Sequence, residues 1–78
     1  MSRLPAVEVD PETGYAYIAL AEIGAGGVRD SVPLHRGGGV GPSTLDALVL
    51  DFDRDGRLVG IEVNARADAV LRPELLAR

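Results

Sequence analysis

The stretch Asp51-Phe52-Asp53-Arg54-Asp55-Gly56-Arg57-Leu58-Val59-Gly60-Ile61-Glu62 admits two readings, and the fold depends on which one holds. By spelling it fits the twelve-residue EF-hand calcium loop. Asp51, Asp53 and Asp55 would bring carboxylates to positions 1, 3 and 5, and Gly56 the sharp turn at position 6. Arg57 would add a backbone carbonyl, and Glu62 would close the site with both oxygens. An EF-hand loop, however, lies between two helices, and its flanks should show a 3.6-residue apolar period. Upstream stands Gly37-Gly38-Gly39-Val40-Gly41-Pro42, which no helix interior accommodates. The remaining Leu45 to Phe52 is too short for an entering helix and rich in strand formers. Downstream, Val59, Ile61 and Val63 alternate with period 2. The context predicts a hairpin.

In that hairpin Asp53-Arg54-Asp55-Gly56 is a type I turn, with Gly56 in the left-handed conformation of a G1 bulge. Counting outward pairs Phe52 with Arg57, Asp51 with Leu58, Leu50 with Val59, Leu48 with Ile61 and Asp46 with Val63. This register collects Leu48, Leu50, Phe52, Val59, Ile61 and Val63 on one face, and Ala47, Val49, Asp51, Leu58, Gly60 and Glu62 on the other. Glu62 then points off the sheet, two to three residue pairs from the turn, and cannot join Asp53 and Asp55 around one ion.

Working toward the N-terminus, Pro5 to Asp10 reads as a first strand and Asp10-Pro11-Glu12-Thr13-Gly14 as a turn. Tyr15 to Ala21 is a second strand, in which Ala16, Ile18 and Leu20 alternate with Tyr15, Tyr17 and Ala19. The two tyrosines share a face, available either to an interface or to the C-terminal helix. Val28 to Leu34 makes a third strand, and Pro33, which lacks a ladder donor, places it at an edge or ends it. His35 to Thr44 is a glycine-rich, flexible surface connection. It is no phosphate cradle: Pro42 stands where a P-loop needs lysine, and a strand follows instead of a helix. After Asn64 the period changes. Ala67, Val70, Leu71, Leu75 and Leu76 predict a helical turn near Asp68 to Arg72, with Asp68 as N-cap, and a second turn starting at Pro73. The expectation is one α+β domain over residues 1–78, an antiparallel β-meander of about five strands with a short C-terminal helix packed on one face.

The phrases Val9-Asp10-Pro11-Glu12-Thr13-Gly14-Tyr15-Ala16-Tyr17-Ile18, Val28-Arg29-Asp30-Ser31-Val32 and Leu48 to Val63 together resemble the DUF2283 family, also called YuzE-like. The resemblance spans about residues 7 to 76, and its most specific part is Asp51 to Val63. A family that carries this phrase implies the hairpin over the calcium loop. It implies a fold more than an activity, since the family has no established one. This chain departs from the family's pattern in the long connection His35 to Thr44, which family members tend to make briefly.

Composition narrows the function. The 78 residues include 8 basic and 12 acidic side chains, a net charge of −4. Every basic residue is arginine and none are clustered, so a nucleic-acid footprint is not expected. The absence of lysine removes Schiff-base chemistry. The absence of cysteine removes disulfides and thiolates and agrees with a cytoplasmic setting. No stretch approaches the length of a membrane span, and no cofactor is expected. His35 has neither a cysteine nor a second histidine to complete a zinc site. A triad of His35 with Ser31 or Ser43 lacks any motif that would bring its members together. At this size a core of alanine, valine and leucine is marginal, so burial against a second copy would help. The reading is therefore a non-enzymatic domain that acts by association, as a homodimer. Alternatives are an antitoxin-like acidic partner of a small basic protein, the calcium loop at Asp51, Asp53, Asp55, Arg57 and Glu62, and a small-ligand binder or enzyme using Asp51 and Glu62. In the counted register those two carboxylates stand several pairs apart, which strains an acid–base pair.

Overall fold

In the computed structural model residues 4–36 and 41–76 are described. The stretch Gly37 to Val40, within the connection expected to be flexible, lies outside them. Five strands, β1 (Ala6–Val9), β2 (Ala16–Ala19), β3 (Asp30–Pro33), β4 (Leu48–Phe52) and β5 (Leu58–Val63), precede two single-turn helices, α1 (Ala67–Val70) and α2 (Pro73–Leu76). The strands form one antiparallel sheet in the order β1-β2-β5-β4-β3. Sequential hairpins link β3, β4 and β5, and the β1–β2 hairpin returns to lie beside β5. The α+β class and the short C-terminal helical segment are as expected from the sequence.

Local chemistry accounts for the turns. Asp10 closes the β1–β2 hairpin: its Oδ1 accepts the Glu12 N–H at 2.8 Å and its carbonyl accepts the Gly14 N–H at 2.8 Å. Gly14 takes φ +77°, a left-handed conformation that costs glycine nothing. At the β4–β5 turn the Gly56 N–H donates to the Asp53 carbonyl at 3.0 Å, and Gly56 adopts φ +78°. The type I turn with its left-handed glycine is thus where it was expected. Pro33 ends β3, which is an edge strand, so its missing N–H breaks no interior ladder.

Three expectations need correction. The β4–β5 register pairs Leu48 with Val63, Leu50 with Ile61, Asp51 with Gly60 and Phe52 with Leu58, two residues from the count at the far end. One residue comes from the turn itself, because a G1 bulge sets Asp53, not Phe52, opposite Arg57; the Asp53 N–H donates to the Arg57 carbonyl at 2.9 Å. The second comes from another bulge, where Val59 stands between the pairs Asp51–Gly60 and Phe52–Leu58. A two-residue slip preserves parity, so Leu48, Leu50, Ile61 and Val63 still share a face, whereas Leu58 moves opposite Phe52. Asp46 is not on a strand: Ser43–Ala47 is a 3-10 helix, and Asp46 pairs with Arg36 at 3.1 Å. Finally, Asp68 is not an N-cap. Arg66 holds that position with no side-chain cap, and Asp68, inside the first turn, pairs with it at 3.2 Å.

The helices cover one end of one sheet face. Ala16, Val63 and Ala67 form the buried cluster, packed by Val7, Ile18, Leu48, Val70, Leu71 and Leu76. The Ala67 N–H donates to the Gly14 carbonyl at 2.8 Å and pins α1 to the first turn. Leu50, Phe52 and Val32 lie on the same face, beyond that cluster.

Candidate functional site

The opposite, helix-free face carries the polar chemistry. Strand alternation and cross-strand pairing fix its occupants. Glu8, Tyr17, Glu62, Val49 and Pro33 form one row across all five strands, and Ala6, Ala19, Gly60, Asp51 and Ser31 form the next. Asp51 is buried, with 3% of its surface exposed, and both of its oxygens have partners. The Ser31 hydroxyl donates to Oδ1 at 2.7 Å, and the Tyr17 hydroxyl donates to Oδ2 at 2.9 Å. To reach β4 from β2, the Tyr17 ring must cross β5, and it does so over Gly60. A Cβ on Gly60 would collide with the Tyr17 hydroxyl and ring. Glycine at that point is what lets the tyrosine lie across the strand.

Glu62 is diagonal to Asp51 on this face, since Asp51 pairs with Gly60 and Glu62 with Val49. The sequence count had set the two carboxylates several pairs apart; the extra residues, one at the turn and one in β5, draw them together. Glu62 holds its proton above the usual carboxylate range. A hydrogen bond with Asp51 is the leading cause, followed by burial and the Asp51 charge, against a weaker opposing bond from Asn64. The Tyr17 phenol is pushed up to about 12, by burial first, then by its bond to Asp51 and the charges of Asp51 and Glu62.

The other singled-out residues disperse. Asp53 serves the turn: its Oδ1 accepts the Asp55 N–H at 2.9 Å and the Arg57 N–H at 3.0 Å. Asp55 and Arg57 are exposed at the hairpin tip. The calcium set is thus split between the tip and the sheet face. Among the described residues no three His, Cys, Asp or Glu side chains are placed to hold a metal ion. His35 is exposed, and Ser43 belongs to the 3-10 helix. Ser31 does meet an aspartate, but as a donor to a buried carboxylate. Tyr17 turns away from the C-terminal helices, and Tyr15 lies outside β2, exposed.

The profile of DUF2283, described as a protein of unknown function, matches residues 6–65. The chain belongs to the DUF2283 family. That stretch takes in all five strands and ends before α1, so in this DUF2283 domain the matched region holds the whole sheet and every member of the Asp51 network. No curated protein and no solved structure matches the chain significantly. Sequence reasoning flagged Asp51 and Glu62 and set Gly60 on their face, but missed Tyr17 and Ser31 as their companions. The available signal was parity: Tyr17 and Gly60 each sit one residue out of step with the apolar set of their strand, which marks both for the same face.

Proposed function

We propose that this DUF2283 domain is a non-enzymatic module that works by self-association, as a homodimer formed through the part of the helix-bearing face that α1 and α2 leave open. The observation that carries the reading is the uncharged row Val7, Ile18, Ile61, Leu50 and Val32, which crosses all five strands. On this face Val9, Leu20, Val32 and Leu58 remain exposed, Val32 to 47%. Among the described residues the buried apolar set is only Ala16, Val59, Val63 and Ala67. Full burial of an aliphatic side chain stabilises by about 1.5–3 kcal/mol, while ordering each residue costs about 1.5 kcal/mol. So small a set gains from further burial. A second copy supplies it, because a two-fold axis sets an apolar row against its own image.

Two features support the absence of catalysis. Asp51, the most buried carboxylate described, spends both oxygens on hydroxyls, and Ser31 spends its hydroxyl on Asp51. The cysteine-free composition supports a cytoplasmic setting. Among the described residues no helix is long and apolar enough to cross a membrane.

Size-exclusion chromatography with light scattering tests the dimer. Twice the chain mass is expected, and Val32→Asp, at an exposed position on the edge strand, should return the protein to monomer with its circular dichroism unchanged. A wild-type monomer at high concentration rejects the reading.

A further inference from the structure

The helix-free face has a network that self-association through the opposite face does not use. Tyr17 on β2, Ser31 on β3 and Asp51 on β4 are joined by hydrogen bonds of 2.9 and 2.7 Å, and the Tyr17 ring passes over β5 between them. Of the described side-chain hydrogen bonds, these two tie different strands of the sheet to one another, and both end on the same carboxylate. Beside that carboxylate, diagonally across the β4–β5 pair, stands Glu62.

We propose that Asp51 and Glu62 hold one proton between them and form a pH-sensitive clasp across the helix-free face of the sheet. With the proton in place, Glu62 donates to Asp51, and Asp51 keeps its two hydroxyl donors. One negative charge is then shared among three donors in a half-buried setting. When the proton leaves, two carboxylates face each other with no cation to separate them. The polar groups on this face are Glu8 from β1, Tyr17 from β2, Glu22 just beyond β2, Ser31 from β3, Asp51 from β4 and Asn64 at the end of β5. None is basic, and the arginines in described ion pairs are Arg36, Arg66 and Arg72, all outside the five strands. The charge released on deprotonation is therefore borne by the sheet, and the clasp loosens.

The direction of the effect follows from where the proton is held more tightly. The folded chain keeps Glu62 protonated to higher pH than the unfolded chain does. Its contribution to stability is complete below the ordinary glutamate range and is lost as pH rises through the folded value. Each tenfold gain in proton affinity on folding corresponds to about 5–10 °C in melting midpoint for a domain of this size.

Melting curves of the full chain at a series of pH values between about 4 and 8 test the clasp. Measured against Glu62→Gln, the wild-type midpoint should fall as pH rises, and Glu8→Gln, a change on the same face outside the pair, should leave that fall in place. Glu62→Gln keeps the donor and cannot ionise, so it should flatten the profile and melt higher than wild type at the alkaline end. Carboxyl-carbon NMR of the wild type should show Glu62 titrating above the ordinary glutamate value of the unfolded chain. The proposal is overturned if Glu62→Gln keeps the wild-type profile, if Glu8→Gln abolishes it, or if Glu62 titrates at the ordinary glutamate value of the unfolded chain. All curves are taken at one protein concentration, and light scattering at each pH reads the oligomeric state separately, so a failure of the dimer and a failure of the clasp are distinguishable.

Discussion

Asp51 could not stay buried without its hydroxyl donors, because a carboxylate removed from water needs its lone pairs met. Tyr17 and Ser31 meet them, at 2.9 and 2.7 Å. Tyr17→Phe keeps the ring and deletes one donor, so the carboxylate is left short while still shielded. Chemical denaturation should register a loss of about 1–3 kcal/mol, the usual cost of stranding a buried polar group. Gly60→Ala attacks the same contact from below. Its new methyl occupies the space of the Tyr17 hydroxyl and ring, and forcing the tyrosine aside should cost about 1–3 kcal/mol. In a Tyr17→Ala background that cost should largely vanish, and a double-mutant cycle reads the difference. Additive losses would separate Gly60 from the tyrosine.

At the scale of elements, the β4–β5 hairpin shows how one acidic phrase can spell a calcium loop and build a turn. Asp53 uses a single oxygen to hold the Asp55 and Arg57 N–H groups, and Gly56 adopts the left-handed conformation that closes the bend. An ion recruiting Asp53 would have to compete with those two bonds. Gathering Asp51 and Glu62 as well would mean dismantling the pairing of both strands. Calcium and chelator should therefore leave the melting midpoint unchanged; a rise with calcium and a fall with chelator would restore the metal reading. The helical end is built more loosely. Arg66–Asp68 and Arg72–Glu74 are exposed pairs of the kind that contributes little. What positions α1 is the Ala67 N–H on the Gly14 carbonyl and the burial of Ala67 against Ala16 and Val63.

For the molecule as a whole, the two sheet faces divide the work, one apolar and half-roofed by helices, the other polar and internally bonded. If the open apolar row seats a second copy, the melting midpoint must rise with protein concentration, since dissociation and unfolding are then linked. A midpoint constant over a hundredfold dilution would tell against it. Much of this was legible in the residues. The turn at Asp53–Gly56, the edge position imposed by Pro33, the alternation that sorts Leu48, Leu50, Ile61 and Val63 to one face, and the helical period after Asn64 are local properties, set by backbone conformation and side-chain spacing over a few residues. The sequence alone therefore determined the class of fold and the hairpin that defeats the calcium spelling. The strand order, the bulge at Val59 and the meeting of Tyr17, Ser31, Asp51 and Glu62 were settled only in three dimensions. Those residues are up to 45 positions apart, and the two extra residues, one at the turn and Val59 in β5, together make neighbours of the two carboxylates. No local preference encodes that slip; it is chosen by which register packs the whole sheet.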